Sequence, residues 1–461
     1  MTGEKKIVVE TKEQKVLDLT SGDITRNILH LAWPAVTSMF LETFFSIANA
    51  FWVGKLGATF LAAVISSVFV IWIIYSLAAI ISIGVVALVS RSIGAKDPNQ
   101  ASYISEQAFL LAIISSSLLA IAGIILTPQF FYLMGTEKEV TLIGTKYLRI
   151  IFLGAPLFFL IDILSGVFRA SGDTKTPLKV ALIAVSFNIL LDPVLIFGLG
   201  PFPKMGASGA AIATVISQFL AVMLFKSYIV KGKLPFRLSL KHQPKLELKT
   251  IYRIVKIGAP TSIAGIVFSL VYLFLNKITA HFGTDAIAAL GIGNRSESLS
   301  YLTCFGFSMA AAALVGQNLG AKKPERAEKS AWRTVFIVVL ITGFISIMFI
   351  SFPKYISAFF ISDEKVIKIG INYLRIMALS QIFMAIEIVL EGAFSGAGNT
   401  FPPMIVSVPG SILRIPLAYL LAIKLNLGVA GVWWAITLTS IAKGAVLAFW
   451  FKLGKWKTKR I

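Results

Sequence analysis

The residues best suited to chemistry in this chain are acids and amides set inside long apolar runs. Glu42 and Asn49 stand seven residues apart, close to two turns of helix, so a helical run points both the same way. Asn188 and Asp192 stand four apart, again on one helical face, and Pro193 follows directly. Asp162 lies in a third run. An ionisable group at membrane depth is expensive and is by default a functional candidate. Burial disfavours the charged form of a carboxylate, so such an acid can take up a proton and release it when its surroundings hydrate. The same oxygens, when ionised, can hold Na⁺. A proline inside a helix frees a backbone carbonyl that can join them, which makes Asp192 with Asn188 the candidate Na⁺ pair. The five residues Glu42, Asn49, Asp162, Asn188 and Asp192 are therefore the candidate cation-coupling set. The competing reading is structural, with polar groups bridging helices through hydrogen bonds.

A second set of charges follows later in the chain. Glu387 and Glu391 are four apart, Arg295 neighbours Glu297, and Arg414 and Lys443 each stand alone. Arg414 is a candidate partner for one of the glutamates in a structural ion pair. Glu387, Glu391 and Arg414 are secondary candidates, weighed equally as structural and functional. Lys443 is expected to lie near enough to a helix end to snorkel. No nucleophile–base pair stands out, and three histidines with one cysteine suit a His/Cys metal centre poorly. An enzyme is not expected, nor a cofactor beyond the coupling ion, H⁺ or Na⁺.

The elements that must position these residues are helices in a bilayer. Leu56 to Ser90, Gln107 to Thr136 and Ser298 to Ala321 contain no Asp, Glu, Lys or Arg, and about 20 apolar residues suffice for one helical span. Only 14% of the 461 residues are charged and 57% are hydrophobic, against about 25% and 45–50% in soluble domains. There is too little charge to coat soluble surfaces. Pro, Gly and charge clusters divide the chain into twelve spans, near 28–53, 58–88, 101–127, 142–166, 177–199, 206–230, 252–277, 284–316, 328–351, 366–392, 402–424 and 428–451. Lipid offers no partner for open backbone groups, so the spans are helical; the alternating strands of a barrel are missing. With both ends placed inside, 29 Lys and Arg fall in inner segments and 11 in outer ones, which supports that orientation. The basic stretch 226–256 then reads as a solvated linker between halves rather than a nucleic-acid or lipid patch. The expected division is an extension (1–27), a six-helix lobe (28–230), a basic linker (231–251), a second six-helix lobe (252–452) and a basic tail (453–461).

The two halves repeat. Adding 226 carries Pro34 to Pro260, Gly57 to Gly283, Gly94-Ala95-Lys96 to Gly320-Ala321-Lys322, and Tyr147-Leu148-Arg149-Ile150 to Tyr373-Leu374-Arg375-Ile376. Gly166, Phe168, Gly172, Thr174 and Pro177 return as Gly392, Phe394, Gly398, Thr400 and Pro403. Six spans separate equivalent points, so both halves share one orientation and the pseudo-two-fold axis lies along the membrane normal. The fold class is thus all-α integral membrane, twelve helices in two six-helix bundles related by a parallel repeat. That is a common transporter architecture, with the substrate site between bundles. Small residues in the second and eighth spans (Gly84, Ala310 to Ala313) allow close helix approach.

These motifs resemble the multidrug and toxic compound extrusion (MATE) transporters. The resemblance runs from Pro34 to about Trp450. It rests on Asn49-Ala50-Phe51-Trp52-Val53-Gly54-Lys55-Leu56-Gly57, on Gly94-Ala95-Lys96 and its twin, and on Phe168-Arg169-Ala170-Ser171-Gly172-Asp173-Thr174-Lys175-Thr176-Pro177 and its twin. It implies a V-shaped pair of lobes and export of organic, often cationic, compounds driven by inward H⁺ or Na⁺. In the prokaryotic branch most resembled, an acidic site in the first lobe carries coupling, and Asn188 and Asp192 match it. Asn49 departs from that pattern, standing where the branch has Asp; Glu42 and Asp162 are the acids at hand to replace it. Another branch has an acid where this chain has Phe268.

The function expected is a secondary active multidrug exporter, antiporting amphipathic or cationic organic compounds against H⁺ or Na⁺ by alternating access. The alternative is a flippase for a lipid-linked precursor in the same superfamily; a receptor or scaffold fits the repeat less well. Expected partners are small organic substrates and the lipid bilayer, with no nucleic acid. The chain is expected to be a monomer in the plasma membrane with both termini cytoplasmic.

Overall fold

The computed structural model describes residues 18–238, 246–459 and 461; the remainder of the amino-terminal extension and the middle of the linker lie outside the described residues. The first lobe comprises α1 (Ile24–Gly54), α2 (Ala58–Gly94), α3 (Pro98–Leu133), α4 (Lys138–Leu153), α5 (Ala155–Ala170), α6 (Lys175–Phe197) and α7 (Ala207–Val230). The second comprises α8 (Leu248–Ala280), α9 (Thr284–Gly320), α10 (Pro324–Ser351), the short α11 (Pro353–Phe360), α12 (Glu364–Ala378), α13 (Gln381–Gly396), α14 (Phe401–Tyr419) continued by a π turn (Leu420–Lys424), and α15 (Val429–Lys452). Among the described residues, ten helices are long and apolar enough to cross a membrane, and two bent pairs bring the number to twelve.

The bent pairs depart from the single spans expected at 142–166 and 366–392. These are α4 with α5, bent by 48°, and α12 with α13, bent by 54°. Pro156 has no N–H to continue the first ladder. The breaks fall at Gly154 and Ser380, which are equivalent positions of the internal repeat. Backbone conformation repeats in the same way. Lys96 and Lys322 both take φ 57°, a left-handed setting uncommon outside glycine. Gly172 and Gly398 share it at 85° and 67°. Local capping follows the sequence. The Asp23 carboxylate accepts the Arg26 N–H at 2.7 Å, and Asp97, just before Pro98, accepts that of Gln100 at 2.9 Å.

The lobes exchange their first turns. Ile28 and Leu31 of α1 are fully buried in the core of the second lobe, with Phe307, Leu314 and Phe394. Ile254 and Ile257 of α8, their counterparts in the repeat, are buried in the core of the first. The same reciprocity governs the crossing of α2 and α9. A β-carbon on Gly94 would strike the Gln317 carbonyl, and one on Gly320 would strike that of Arg91. Gly94 and Gly320 are a repeat pair, as are Arg91 and Gln317, so this crossing straddles the pseudo-two-fold axis.

The described segments before α1 and after α15 cross between lobes at this end of the bundle. The turn before α1 lies on the second lobe, its carbonyls accepting from Asn318 (Leu19, 3.2 Å), Lys323 (Thr20, 2.9 Å) and Arg326 (Ser21, 2.6 Å). The tail after α15 returns to the first lobe, where the Arg91 guanidinium donates to the Lys459 carbonyl at 2.8 Å and to the Ala397 carbonyl at 3.1 Å. At the start of α8, hydrogen bonds from Thr250 and Tyr103 hold the Glu247 carboxyl below the usual carboxylate range. The Glu247 N–H donates to the Gln107 side chain on α3 at 2.9 Å, tying the linker exit to the first lobe.

Candidate cation site in the first lobe

Helices α1 and α6 pack together inside the first lobe, and among their buried polar side chains are Asn49, Asn188 and Asp192. Asn49 is 7% exposed, Asn188 1% and Asp192 0%. Among the described residues, Asn49 Oδ1, both amide atoms of Asn188 and both carboxylate oxygens of Asp192 have no hydrogen-bond partner. A buried polar atom left unmade costs about 1–3 kcal/mol, more when charged. Native interiors satisfy nearly all such atoms, and exceptions call for a physical reason. Four of these atoms are oxygens. A proton on the carboxylate, or a cation held by the oxygens, removes the cost that apolar surroundings impose. Helix α6 runs unbroken through Pro193, which lacks the N–H owed to the Ile189 carbonyl. The phenol of Tyr147 on α4 lies within electrostatic reach of Asp192.

The other two acids of the expected set stand elsewhere. Glu42 is exposed, and the charges acting on it are Asp162 and Arg169. The side chain of Asp162 is 30% exposed and faces Arg169 at 3.8 Å. The seven-residue spacing of Glu42 and Asn49 keeps one helical face, but it also separates them by about 10 Å along the axis. Asn49 is buried, whereas Glu42 is exposed and belongs with Asp162 and Arg169. Arg169 enters the sequence reading only as part of the Phe168–Pro177 motif; its spacing of seven from Asp162 was the available signal for their contact.

The second lobe corrects two expectations. Arg414 pairs with neither glutamate. Its Nε donates to Thr439 Oγ1 at 3.0 Å and its Nη2 to Ser440 Oγ at 2.8 Å, while the guanidinium sits over the Phe268 ring, 5.6 Å from the centroid. Lys443 does not snorkel. It is buried, and its ammonium meets Glu387 Oε1 at 2.7 Å. Helix α15 packs on α13 and α14, and Gly410 leaves room for the lysine stem where any β-carbon would crowd it. The Ser407 hydroxyl lies 3.0 Å from Glu387 and 2.7 Å from Glu391, bracing both acids. Glu297 is buried and accepts from Tyr373 at 3.1 Å and Gln381 at 3.0 Å; Arg295 faces outward. Removing one member of a buried pair strands the other charge at about 3–5 kcal/mol. Lys443→Ala is therefore expected to lower thermal stability in detergent markedly, and Lys443→Ala with Glu387→Gln to recover most of it. Unfolding midpoints of the two variants check this.

Comparison with known proteins agrees with this architecture. The family model MatE matches residues 34–194 and again 260–420, two stretches whose first residues, Pro34 and Pro260, are a repeat pair. A probable multidrug resistance protein NorM of Thermotoga maritima is 29% identical over 444 residues, covering 95% of this chain and 94% of its own. The FAD transporter of Shewanella oneidensis is 28% identical, covering 92% and 94%. Among solved structures, MATE in the bent conformation aligns with a TM-score of 0.89 at 23% identity, over 95% of this chain and 97% of its own. An outward-facing multidrug resistance MATE family transporter aligns with the same score at 22% identity, over 97% and 100%. The twelve-helix fold is thus that of a membrane transporter and not an enzyme, and because the family model matches both halves, this chain belongs to the MatE family.

Proposed function

We propose that the chain is a secondary active exporter of amphipathic or cationic organic compounds, driven by inward H⁺ or Na⁺ through alternating access. The observation that carries this reading is Asp192: a carboxylate with no exposed surface and, among the described residues, no hydrogen-bond partner, beside the orphaned amide of Asn188. A group so placed gains most from a small exchangeable cation, and gaining or losing that cation changes how the first lobe packs. The names of the Thermotoga and Bacillus relatives, probable multidrug resistance proteins, support the substrate class. The close inter-lobe contacts at Gly94, Gly320, Gly84 and Gly258 lie at the end that carries Leu19 and Lys459. With that end cytoplasmic, as the basic bias supports, the described state is closed inside and belongs to the outward-facing half of the cycle.

The deciding experiment is dye efflux from vesicles with proton and sodium gradients imposed separately. Efflux driven by one of them supports the reading; efflux indifferent to both overturns it. Within the proposed set, Glu42→Gln is expected to slow coupled efflux through the exposed Glu42–Asp162–Arg169 group. Asn49→Asp, which returns a carboxylate to the buried site, is expected to be tolerated. Efflux rates under the active gradient check both, and the reverse pattern makes Glu42 a helix-bridging group only.

A further inference from the structure

The internal repeat lets one lobe be read against the other, residue by residue. At the repeat offset, the buried trio Asn49, Asn188 and Asp192 maps to Leu275, Arg414 and Ala418. Helices α6 and α14 begin at Lys175 and Phe401, themselves equivalent positions, so the register holds here. Leu275 and Ala418 are buried and apolar. Arg414, only 3% exposed, is the single polar member of the second trio, and it is a permanent cation. Glu42 of the first lobe maps to Phe268, the ring beneath the guanidinium. Tyr147, within electrostatic reach of Asp192, maps to Tyr373, which donates to Glu297. The acid that acts on Arg414 comes from a different helix: Glu297 of α9 lies within its electrostatic reach, with Tyr272 of α8 and the ammonium of Lys443.

We propose that Arg414 is a tethered cation of the second lobe: its backbone stands at the position of Asn188, its guanidinium lies over the counterpart of Glu42, and this lobe so carries a built-in positive charge whereas the first lobe binds an exchangeable one. The side chain cannot leave, so this lobe stays in a loaded arrangement and ion exchange is confined to Asp192. The geometry is that of a ligand in a receptor. Two hydroxyls, Thr439 and Ser440, orient the guanidinium, Phe268 supplies a π face, and one nitrogen, Nη1, has no hydrogen-bond partner among the described residues. The pocket is thus built for a planar monovalent cation of the guanidinium class, and removing the side chain should expose it to that ligand in free form.

This inference rests on the exporter reading above, and chemical rescue tests it separately. Arg414→Ala is expected to reach the membrane and to lose gradient-driven efflux about tenfold or more, as for loss of one member of a buried charge group. Millimolar guanidinium is expected to restore efflux and to raise the melting temperature of this variant, with neither effect on the wild type. Arg414→Ala with Glu297→Gln is expected to show weaker rescue, because the acid whose charge acts on this position is gone. Wild-type efflux by Arg414→Ala, or loss that guanidinium does not repair in a folded variant, overturns the proposal. Should Arg414→Ala fail to reach the membrane, Arg414→Lys and Arg414→Met decide: export by the lysine variant alone supports it, and equal behaviour of the two overturns it. Failure of the exporter reading is seen elsewhere, as indifference of the wild type to both ion gradients.

Discussion

Asp192→Asn is expected to abolish ion-driven export while leaving membrane insertion intact. The change keeps volume and removes one charge. Both carboxylate oxygens are buried with no hydrogen-bond partner among the described residues, and Asp192 is the acid among the buried residues Asn49, Asn188 and Asp192. An amide there cannot take up a proton near neutral pH, and as a cation ligand it lacks the net charge that offsets dehydration. Stranding or deleting one side of a buried charge pair is worth about 3–5 kcal/mol, so affinity for the coupling ion should fall about a hundredfold or more. Folding should not suffer. The carboxylate makes no hydrogen bond whose loss would weaken the lobe, and burying a neutral amide costs less than burying a charge. Uptake of a fluorescent cation into energised inverted vesicles, alongside membrane content and melting temperature, separates the two effects. Wild-type uptake by the variant would remove Asp192 from the mechanism.

Why Asp192 was legible in the sequence, while its separation from Glu42 was not, has a physical cause. A lone acid among Leu191, Pro193 and Val194 has few reasons to exist in a span other than exchange or pairing, so composition alone points to it. Whether an acid on the same face one or two turns away shares its environment depends on what packs at that depth, and helical periodicity carries no such information. The twelve spans and the parallel repeat were readable because lipid forces helices and the repeat offset is written in residue identity. The bends at Gly154 and Ser380 were not, since hydropathy runs through both breaks. Nor was the exchange of Ile28 and Leu31 for Ile254 and Ile257 between cores, which only the docking of lobes decides. The pairing of Lys443 with Glu387, in place of the expected snorkelling, was hidden for a similar reason. Distance from a helix end along the chain does not give depth once a helix packs behind two neighbours and Gly410 opens a slot for the side chain.

A second large effect is expected from a single methyl group at the crossing of α2 and α9. Gly94→Ala or Gly320→Ala places a β-carbon against the carbonyl of Gln317 or Arg91, respectively, and those are backbone atoms that no rotamer change can move. The lobes would have to part at the end where the segments before α1 and after α15 cross over. Overpacking of this kind costs about 1–3 kcal/mol, and imposed on one conformation alone it shifts the balance between the two openings about five- to a hundredfold. Neither substitution removes a core side chain, so both variants should fold. Alternating access needs the closed arrangement in every cycle, so export should fall about tenfold, by the same measure. Gly291→Ala on α9 is the control, since nothing lies within 4 Å of a β-carbon there. The population shift can be read by thiol labelling of Ser90→Cys, a fully buried position beside Gly316, with the buried native Cys304 replaced by Ser. Labelling should quicken in Gly94→Ala and Gly320→Ala but not in Gly291→Ala. Unchanged labelling with unchanged export would mean that the two helices need not meet for transport to proceed.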